Sequence, residues 1–193
     1  MRKYKGLIVF ATWFTVLLIA DLLTKHFVAA NLAIGQYLAF IPRVLGITYH
    51  YNDGMAFGWF SGGRPWLIAI SIVMIVGAAI FYWFHKRKPR HILFDIAFAF
   101  FFAGALGNLV DRIFIGAVRD FLFFEFWANS FIFNLADVWL NISVVLIVVY
   151  FILLEGGEYA NRRRERQLGR EVGQPLEKDD GGGLDTEPNN QCD

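Results

Sequence analysis

Residues 91–110 read HILFDIAFAFFFAGALGNLV and are apolar over almost their whole length. About 20 such residues in an α-helix span the hydrocarbon core of a bilayer. Three other stretches have the same length and character, so the chain is predicted to cross a membrane four times. The other predicted spans are residues 6–27, 65–84 and 131–154.

The composition supports a membrane protein and excludes several other classes. Of the 193 residues, 56% are apolar, above the roughly 45–50% of soluble domains. The single Cys192 excludes an internal disulfide or a multi-Cys metal site, and the four His residues lack the spacing of metal ligands. The net charge of +1 provides no basic field for nucleic acid. We therefore expect no metal, no cofactor and no nucleic-acid partner.

Basic residues are concentrated on one side of the predicted spans. Three Lys or Arg precede the first span, four lie between the second and the third, and six follow the fourth. The positive-inside rule places such residues in the cytoplasm. Both termini are therefore predicted to be cytoplasmic, and residues 31–63 and 111–130 to face outward. Residues 1–160 are predicted to form the membrane domain, and the polar residues 161–193 a disordered cytoplasmic tail.

The two outward segments are predicted to have structure of their own. Residues 37–60 mix β-favouring residues with Gly and Pro, which predicts short strands. Residues 121–127 read FLFFEFW, an aromatic run too short to span, which favours an interfacial or re-entrant piece. The predicted fold class is thus a membrane α-helical protein, a bundle of four transmembrane helices with short extracytoplasmic strands and an interfacial helical or re-entrant arm.

Polar side chains collect near the outward ends of three predicted spans and in one loop, at a common depth. Such groups are costly in a bilayer and usually mark a functional site or a buried pair. They are Asp21, Asn108, Asp111, Arg112, Asp120, Asn134 and Asp137.

Some of these residues also have a structural explanation, which stays open at this point. Asp21 and Lys25 are four residues apart on one helix face, so an ion pair with Lys25 extending to the membrane surface would account for both. Asp111 beside Arg112 is typical of an interfacial charge pair.

Three other residues inside or near the third span are expected to be structural. Asp95 lies close to the predicted cytoplasmic start of the span, so it is expected to be juxtamembrane. Gly104 and Gly107 are expected to allow close packing between helices.

Asp120 and Asp137 are the two polar residues for which a structural explanation is weakest and a catalytic role is the better one. Neither has a basic residue three or four positions away on a helix, and two carboxyls that meet in a poorly solvated site share one proton. The ionised one can take a proton from water while the protonated one supports a peptide carbonyl oxygen. These residues favour aspartic-type peptide hydrolysis. A proton-coupled transporter or a non-catalytic assembly protein stays open as an alternative, because both also bury polar groups.

Four short motifs occur in order along the chain, at the outward level of the predicted spans. With them the chain resembles bacterial lipoprotein signal peptidase, also called signal peptidase II, over about residues 6–154. The motifs are DLLTK (21–25), NDGMAFG (52–58), GALGNLVDR (104–112) running on through Gly116 and Val118 to Asp120 and Phe121, and FNLAD (133–137).

The resemblance implies an aspartyl endopeptidase of the bacterial cytoplasmic (inner) membrane. Such an enzyme cuts diacylglyceryl-modified prolipoproteins just before the lipid-bearing Cys, and Asp120 and Asp137 would be its catalytic pair. The resemblance also implies an outer β-cradle and a helical arm, which correspond to the two outward segments. The expected partners are the substrate and membrane phospholipid, and the enzyme is expected to be a monomer without a cofactor. Substrate-binding or supporting roles are implied for Asn52, Asn108, Arg112, Asn134, Asp21 and Lys25.

Arg119 is a departure from the family pattern at the edge of the expected site. Arg119 directly precedes Asp120, at a position that is usually aliphatic in the family. An Arg119 side chain directed at the site would lower the pKa of Asp120, whereas one directed at lipid headgroups would leave it unchanged. Arg112 could pair with Asp111 or with a substrate carbonyl, and both possibilities remain open.

Overall fold

The computed structural model of the protein describes residues 2–54, 64–85, 91–126 and 129–155, together with residues 157, 164, 167 and 168. The chain divides into two compact units, Met1–Glu155 and Gly156–Asp193. All helices and strands discussed below belong to the first unit. The tail predicted over residues 161–193, with Cys192, lies almost entirely outside the described residues, so its disorder stays a prediction.

Four helices make up most of the first unit. They are α1 (Arg2–Asn31), α2 (Arg64–His85), α3 (Ile92–Phe114) and α4 (Leu135–Val149), and the last continues as a π-helix over Tyr150–Glu155. By length and composition each can cross a membrane. The four predicted spans are therefore confirmed.

The fourth helix begins later than predicted. The sequence analysis placed its start at residue 131, but Asn129–Phe133 form a strand and the helix starts at Leu135. The reason is local: Asn134 adopts an extended backbone and its side chain caps the helix. A start at residue 131 would place Asn134 and Asp137 about one to two turns inside the span, whereas they are the N-cap and the third residue of α4.

A four-stranded antiparallel sheet covers one end of the helices. Its strands are β1 (Tyr37–Ile41), β2 (Leu45–Asn52), β3 (Val118–Phe126) and β4 (Asn129–Phe133), in that order. The strands predicted within residues 37–60 are confirmed as far as residue 52, and residues 55–60 lie outside the described residues. We call this end of the bundle the sheet end and the opposite end the far end.

The helical or re-entrant conformation predicted for residues 121–127 was wrong, and the interfacial location of the segment stays a prediction. Residues 121–126 belong to β3, which pairs with β2 on one side and β4 on the other. Aromatic residues favour strands, and the two neighbouring strands satisfy the backbone groups that a re-entrant segment would leave exposed. Trp127 lies outside the described residues.

Helix α3 is the most buried of the four spans, and two glycines set how closely its neighbours approach. A Cβ at Gly104 would lie 2.5 Å from the backbone oxygen of Ala136 in α4. A Cβ at Gly107 would collide with the carboxylate of Asp21 in α1. The prediction that Gly104 and Gly107 allow close helix packing is confirmed, and the glycines bring the polar residues of α1, α3 and α4 together at the sheet end.

Candidate active site

Asp137 is held by the first turn of α4. Its backbone N–H donates to Asn134 Oδ1 at 3.1 Å, and its own Oδ2 accepts from the Asn134 backbone N–H at 3.2 Å. This reciprocal capping fixes both side chains relative to the helix N-terminus, where the partial positive charge of the helix favours an anion. Asp137 is half-buried.

Asp120 lies on β3 and accepts hydrogen bonds on both carboxyl oxygens. Asn52 Nδ2 donates to Oδ2 at 2.9 Å, and Asn134 Nδ2 donates to Oδ1 at 2.6 Å. Asn134 therefore binds both carboxyl groups, because its side-chain Nδ2 donates to Asp120 and its backbone N–H donates to Asp137. Burial, opposed by the hydrogen bond from Asn52 and reinforced by the nearby charge of Asp137, raises the pKa of Asp120 to about 6.

A third amide links Asp137 to a buried cation. Asn108 Nδ2 donates to Asp137 Oδ1 at 2.8 Å, while Asn108 Oδ1 accepts from Lys25 Nζ at 3.0 Å. Because the ammonium group can only donate, it orients the Asn108 amide with its N–H groups toward Asp137.

Lys25 is fully buried, which corrects the expectation that it extends to the membrane surface. Its ammonium lies 2.8 Å from Asp21 Oδ2 and 3.7 Å from Asp111 Oδ2. The predicted pair between Asp21 and Lys25 exists, but it lies inside the bundle because Gly107 leaves room for it. Asp21 also accepts the backbone N–H of Ala136 at 2.9 Å and so ties α1 to the first turn of α4.

Asp111 is held by Arg119, and this is the main feature that the sequence analysis missed. The Arg119 Nη2 lies 2.7 Å from Asp111 Oδ1, its Nε lies 3.2 Å from both oxygens, and its backbone N–H donates at 2.9 Å. Neither orientation considered for Arg119, toward the site or toward headgroups, anticipated this pair. Successive residues of a strand point to opposite faces, so Arg119 turns away from the face that carries Asp120.

Arg112 is half-buried at the same end of α3. The carboxylates of Asp137, Asp120 and Asp111 lie close enough for their charges to act on its guanidinium. The arrangement thus contains two charge groups. One is the buried set Asp21, Lys25, Asp111 and Arg119, and the other is Asp120 and Asp137 with Arg112 nearby.

Comparisons with known proteins decide the family. The model of the signal peptidase (SPase) II family matches residues 13–153. The chain belongs to the signal peptidase II family. The lipoprotein signal peptidase of Fusobacterium nucleatum subsp. nucleatum is 41% identical over 140 residues, which cover 72% of this chain and 83% of that protein. The Staphylococcus aureus lipoprotein signal peptidase is 39% identical over 132 residues, 68% of this chain and 80% of that one.

Solved structures agree with this assignment. A bacterial membrane enzyme solved at 2.3 Å resolution matches with a TM-score of 0.66 and 32% identity, covering 74% of this chain and 87% of that chain. A second bacterial membrane enzyme, solved at 1.9 Å resolution, matches with a TM-score of 0.66 and 31% identity. The match covers 75% of this chain and 93% of that chain. This signal peptidase II is therefore an integral membrane protein of bacteria and an aspartic-type peptidase, and its family removes signal peptides from prolipoproteins.

The structure brings together all eight residues that the sequence analysis assigned to the site of this signal peptidase II. Asn52, Asn108 and Asn134 bind the two aspartates directly, and Lys25 and Asp21 act behind Asn108. Within the described residues, no group of three or more His, Cys, Asp and Glu is arranged to hold a metal ion.

Another residue that the sequence analysis did not single out is His50, which lies directly opposite Asp120 in the pairing of β2 and β3. The alternation of strand side chains puts an exposed imidazole on the face that carries Asp120. Only the pairing of the strands reveals this, because 70 residues separate the two positions in the chain.

Proposed function

We propose that this signal peptidase II cleaves diacylglyceryl-modified prolipoproteins just before the lipid-bearing Cys, with Asp120 and Asp137 activating the attacking water. The observation that carries the proposal is the placement of these two carboxyls. They come from a strand and a helix, both bind Asn134, and their other hydrogen-bond donors among the described residues are the neutral amides of Asn52 and Asn108. Neutral donors hold carboxyl groups without adding charge, so the pair can keep a single proton.

The two carboxyls have different environments, which suggests their roles. Asp120 is the carboxyl that retains the proton, because burial raises its pKa to about 6. Asp137 is the ionised base, since it occupies a helix N-terminus and accepts N–H groups on both oxygens.

Hydrolysis then proceeds with balanced proton transfers. Asp137 removes a proton from water, the hydroxyl oxygen bonds to the scissile carbonyl carbon, and the carbonyl oxygen receives the proton of Asp120. In the second step Asp137 gives its proton to the amide nitrogen and Asp120 takes one back from a hydroxyl of the tetrahedral intermediate. The C–N bond breaks, and both carboxyls return to their starting state.

The supporting residues hold this geometry and contact the substrate. Asn52, Asn108 and Asn134 orient the carboxyls, Lys25 and Asp21 fix Asn108 and the start of α4, and Arg112 provides positive charge beside the pair. The peptide backbone of the substrate finds neutral donors and acceptors in the same amides.

The substrate class follows from where the site lies in the membrane. The positive-inside rule puts both termini in the cytoplasm and the sheet end at the outer face, where the acyl chains of a prolipoprotein are anchored. An apolar groove of about 500 Å³ lies beside the site, between the end of α1 and the sheet. Its walls include Leu23, Phe27, Leu38 and Phe121, the last adjacent to Asp120. We expect the enzyme to act as a monomer on this substrate within phospholipid.

The test is a gel-shift cleavage assay on the purified full-length protein with a diacylglyceryl-modified prolipoprotein. The wild type should release the signal peptide, and Asp137→Asn should lose activity by at least about 10³-fold while remaining folded, because the base is removed. Asp95→Asn is the matched control, since it neutralises a buried carboxyl at the far end.

Two outcomes of this assay would contradict different parts of the proposal. Cleavage by the wild type and by Asp137→Asn alike would leave the family assignment intact and contradict the two-aspartate mechanism. Absence of cleavage by well-folded wild type would contradict the proposed substrate, and the transporter interpretation would then be tested.

A further inference from the structure

We propose that Asn141 is a substrate-binding residue: its side-chain oxygen accepts a backbone N–H of the signal peptide, about two residues before the scissile bond. This role rests on the proposed function and extends it, because it names the group that holds the unwound end of the signal peptide. Asn141 is not one of the residues that the sequence analysis assigned to the site.

Asn141 lies one helical turn from Asp137 on the same face of α4. Residues four apart in an α-helix are neighbours on its surface, and their positions along the axis differ by about 6 Å. Asp137 is in the first turn of the helix, so Asn141 is farther from the sheet end. In the proposed orientation this is the side from which a signal peptide reaches the catalytic pair. The Asn141 side chain is exposed at the surface of the bundle.

The hydrogen bonding of Asn141 leaves its amide oxygen available. Its Nδ2 donates to the backbone oxygen of Asp137 at 2.9 Å. Only the nitrogen of an amide side chain can donate to a carbonyl, so this bond fixes which end of the amide is free. Among the described residues, none donates a hydrogen bond to Asn141 Oδ1. An acceptor without a partner is costly in a membrane-spanning segment, because lipid chains offer no donor.

A signal peptide brings N–H groups that need such an acceptor. A spanning helix satisfies its own backbone, but the residues before the scissile bond must leave the helix for that bond to reach the two carboxyls. Each residue that unwinds exposes an N–H at a depth where lipid cannot bond it. An extended chain rises about 3.3 Å per residue, so the distance of about 6 Å from Asp137 to Asn141 corresponds to about two residues.

The surface of α4 beyond Asn141 suits the helical part of the same peptide. Exposed β-branched side chains recur there every three or four residues, on the face that carries Asp137 and Asn141. They are Val144, Val145, Val148 and Ile152. An apolar helix packs on such a stripe through van der Waals contacts alone. Because the stripe is continuous with Asn141, one substrate can place its helix on the stripe and its unwound end on the amide.

The test begins with an isosteric pair of variants of the full-length protein, assayed on a diacylglyceryl-modified prolipoprotein. Asn141→Thr keeps an acceptor, and its hydroxyl can bond the backbone oxygen four residues earlier, as Thr24 and Ser71 do. Asn141→Val has the same shape without the hydroxyl. Its kcat/KM should fall by about three- to tenfold, the range of one neutral hydrogen bond, and Asn141→Thr should lose less. An equal loss in the two variants would contradict the proposal.

A double-mutant cycle between enzyme and substrate identifies the contact directly. Synthetic diacylglyceryl-modified substrates carry an ester in place of the amide N–H of one of the three residues before the lipid-bearing Cys, and the scissile amide stays intact. With the wild type, one of these esters should lower kcat/KM by about three- to tenfold. With Asn141→Val the same ester should have almost no further effect, because the acceptor is already absent.

The cycle separates substrate binding from a purely structural role. If the bond to Asp137 only stiffened α4, the effects of the ester and of Asn141→Val would be additive, and that result would overturn the proposal. An unchanged kcat/KM in folded Asn141→Val would overturn it as well. If Asn141→Val does not fold, Asn141→Leu takes its place in the cycle, since Leu is a better helix former.

Ser71→Ala is the matched control on another helix. Ser71 Oγ donates to the backbone oxygen of Leu67 in α2 at 2.7 Å, a bond of the same kind as that of Asn141. Its loss should leave kcat/KM within about twofold of wild type, and all three esters should act on this variant as they act on the wild type.

Failure of this proposal is distinguishable from failure of the proposed function. Asp120→Asn and Asp137→Asn test the two-aspartate mechanism through the loss of cleavage, whereas the Asn141 variants still cleave. Absence of cleavage by well-folded wild type would contradict the proposed function. Cleavage by the wild type with an additive cycle would contradict only the contact of Asn141 with the signal peptide.

Discussion

The two ends of the helix bundle both bury carboxylates, but they surround them differently. At the far end Asp95 is 3% exposed and accepts the hydroxyl of Tyr82 at 2.8 Å. At the sheet end Asp21 and Asp111 are fully buried against Lys25 and Arg119. Beyond them lie the two aspartates that bind amides.

The difference shows that burial of a carboxylate in a membrane protein does not by itself indicate a catalytic role. Asp95 was expected to be juxtamembrane, which stays a prediction; it lies in the first turn of α3, where a Cβ at Gly6 of α1 would collide with its carboxylate. Asp120 and Asp137 differ because they lie beside each other's charge, with donors that position them and do not neutralise them.

Breaking the buried pair at the sheet end should give the largest change in stability. Lys25→Met leaves Asp21 without its cation and Asn108 without the donor that orients it. Removing one partner of a buried ion pair costs about 3–5 kcal/mol. The free energy of unfolding of the purified protein in detergent should fall by that order, as measured by chemical denaturation.

The matched control is Asp21→Asn/Lys25→Met, which removes both charges. An Asn at position 21 keeps an oxygen for the backbone N–H of Ala136, so most of the stability should return. The measurement would contradict the buried pair if Lys25→Met were as stable as wild type.

Much of this end of the molecule could be predicted from the sequence. Apolar length predicted the four spans, and the motifs identified Asn52, Asn108 and Asn134 before any contact was known. These residues are detectable because polar groups in apolar segments stand out one by one. In each case, a few neighbouring residues in the sequence were enough to predict the feature.

What the sequence did not predict depends on pairing between distant segments. The strand β3 could not be distinguished from a re-entrant piece, because its hydrogen bonds go to β2 and β4. The burial of Lys25 depends on Gly107 in another helix, and the partner of Arg119 lies eight residues earlier, across the turn at Gly116. A short apolar run can form either a strand or a re-entrant segment, and a charged side chain can have several partners. Tertiary contacts decide which of these forms.

The stability of wild type and Asp120→Asn should differ in its dependence on pH. The pKa of Asp120 is about 6 in the folded protein against an ordinary value of 3.8, so between these values the folded state binds more protons than the unfolded state. The contribution of Asp120 to the free energy of unfolding of the wild type therefore falls as pH rises through this window. Asn does not titrate, so the Tm of the variant minus that of the wild type should rise from pH 3.8 to about 6 and then stay constant.

Thermal unfolding of both proteins over this pH range measures whether the Tm difference rises with pH as expected. The other titrating groups are present in both proteins, so the difference between the two curves reports the titration of Asp120 together with its coupling to Asp137. A Tm difference that is constant with pH would mean that Asp120 is not the carboxyl that retains the proton.

The smallest change in stability and activity is expected for a substitution at the far end. Asp95→Asn keeps an acceptor for the Tyr82 hydroxyl and removes one buried carboxylate, so we expect a change in unfolding free energy of about 1 kcal/mol and a kcat/KM within about twofold of wild type. The same substitution at Asp137 should remove activity, although both residues are carboxylates near the start of a helix. A large loss of activity in folded Asp95→Asn would show that the two ends are coupled, and the contrast between a structural and a catalytic carboxylate would then fail.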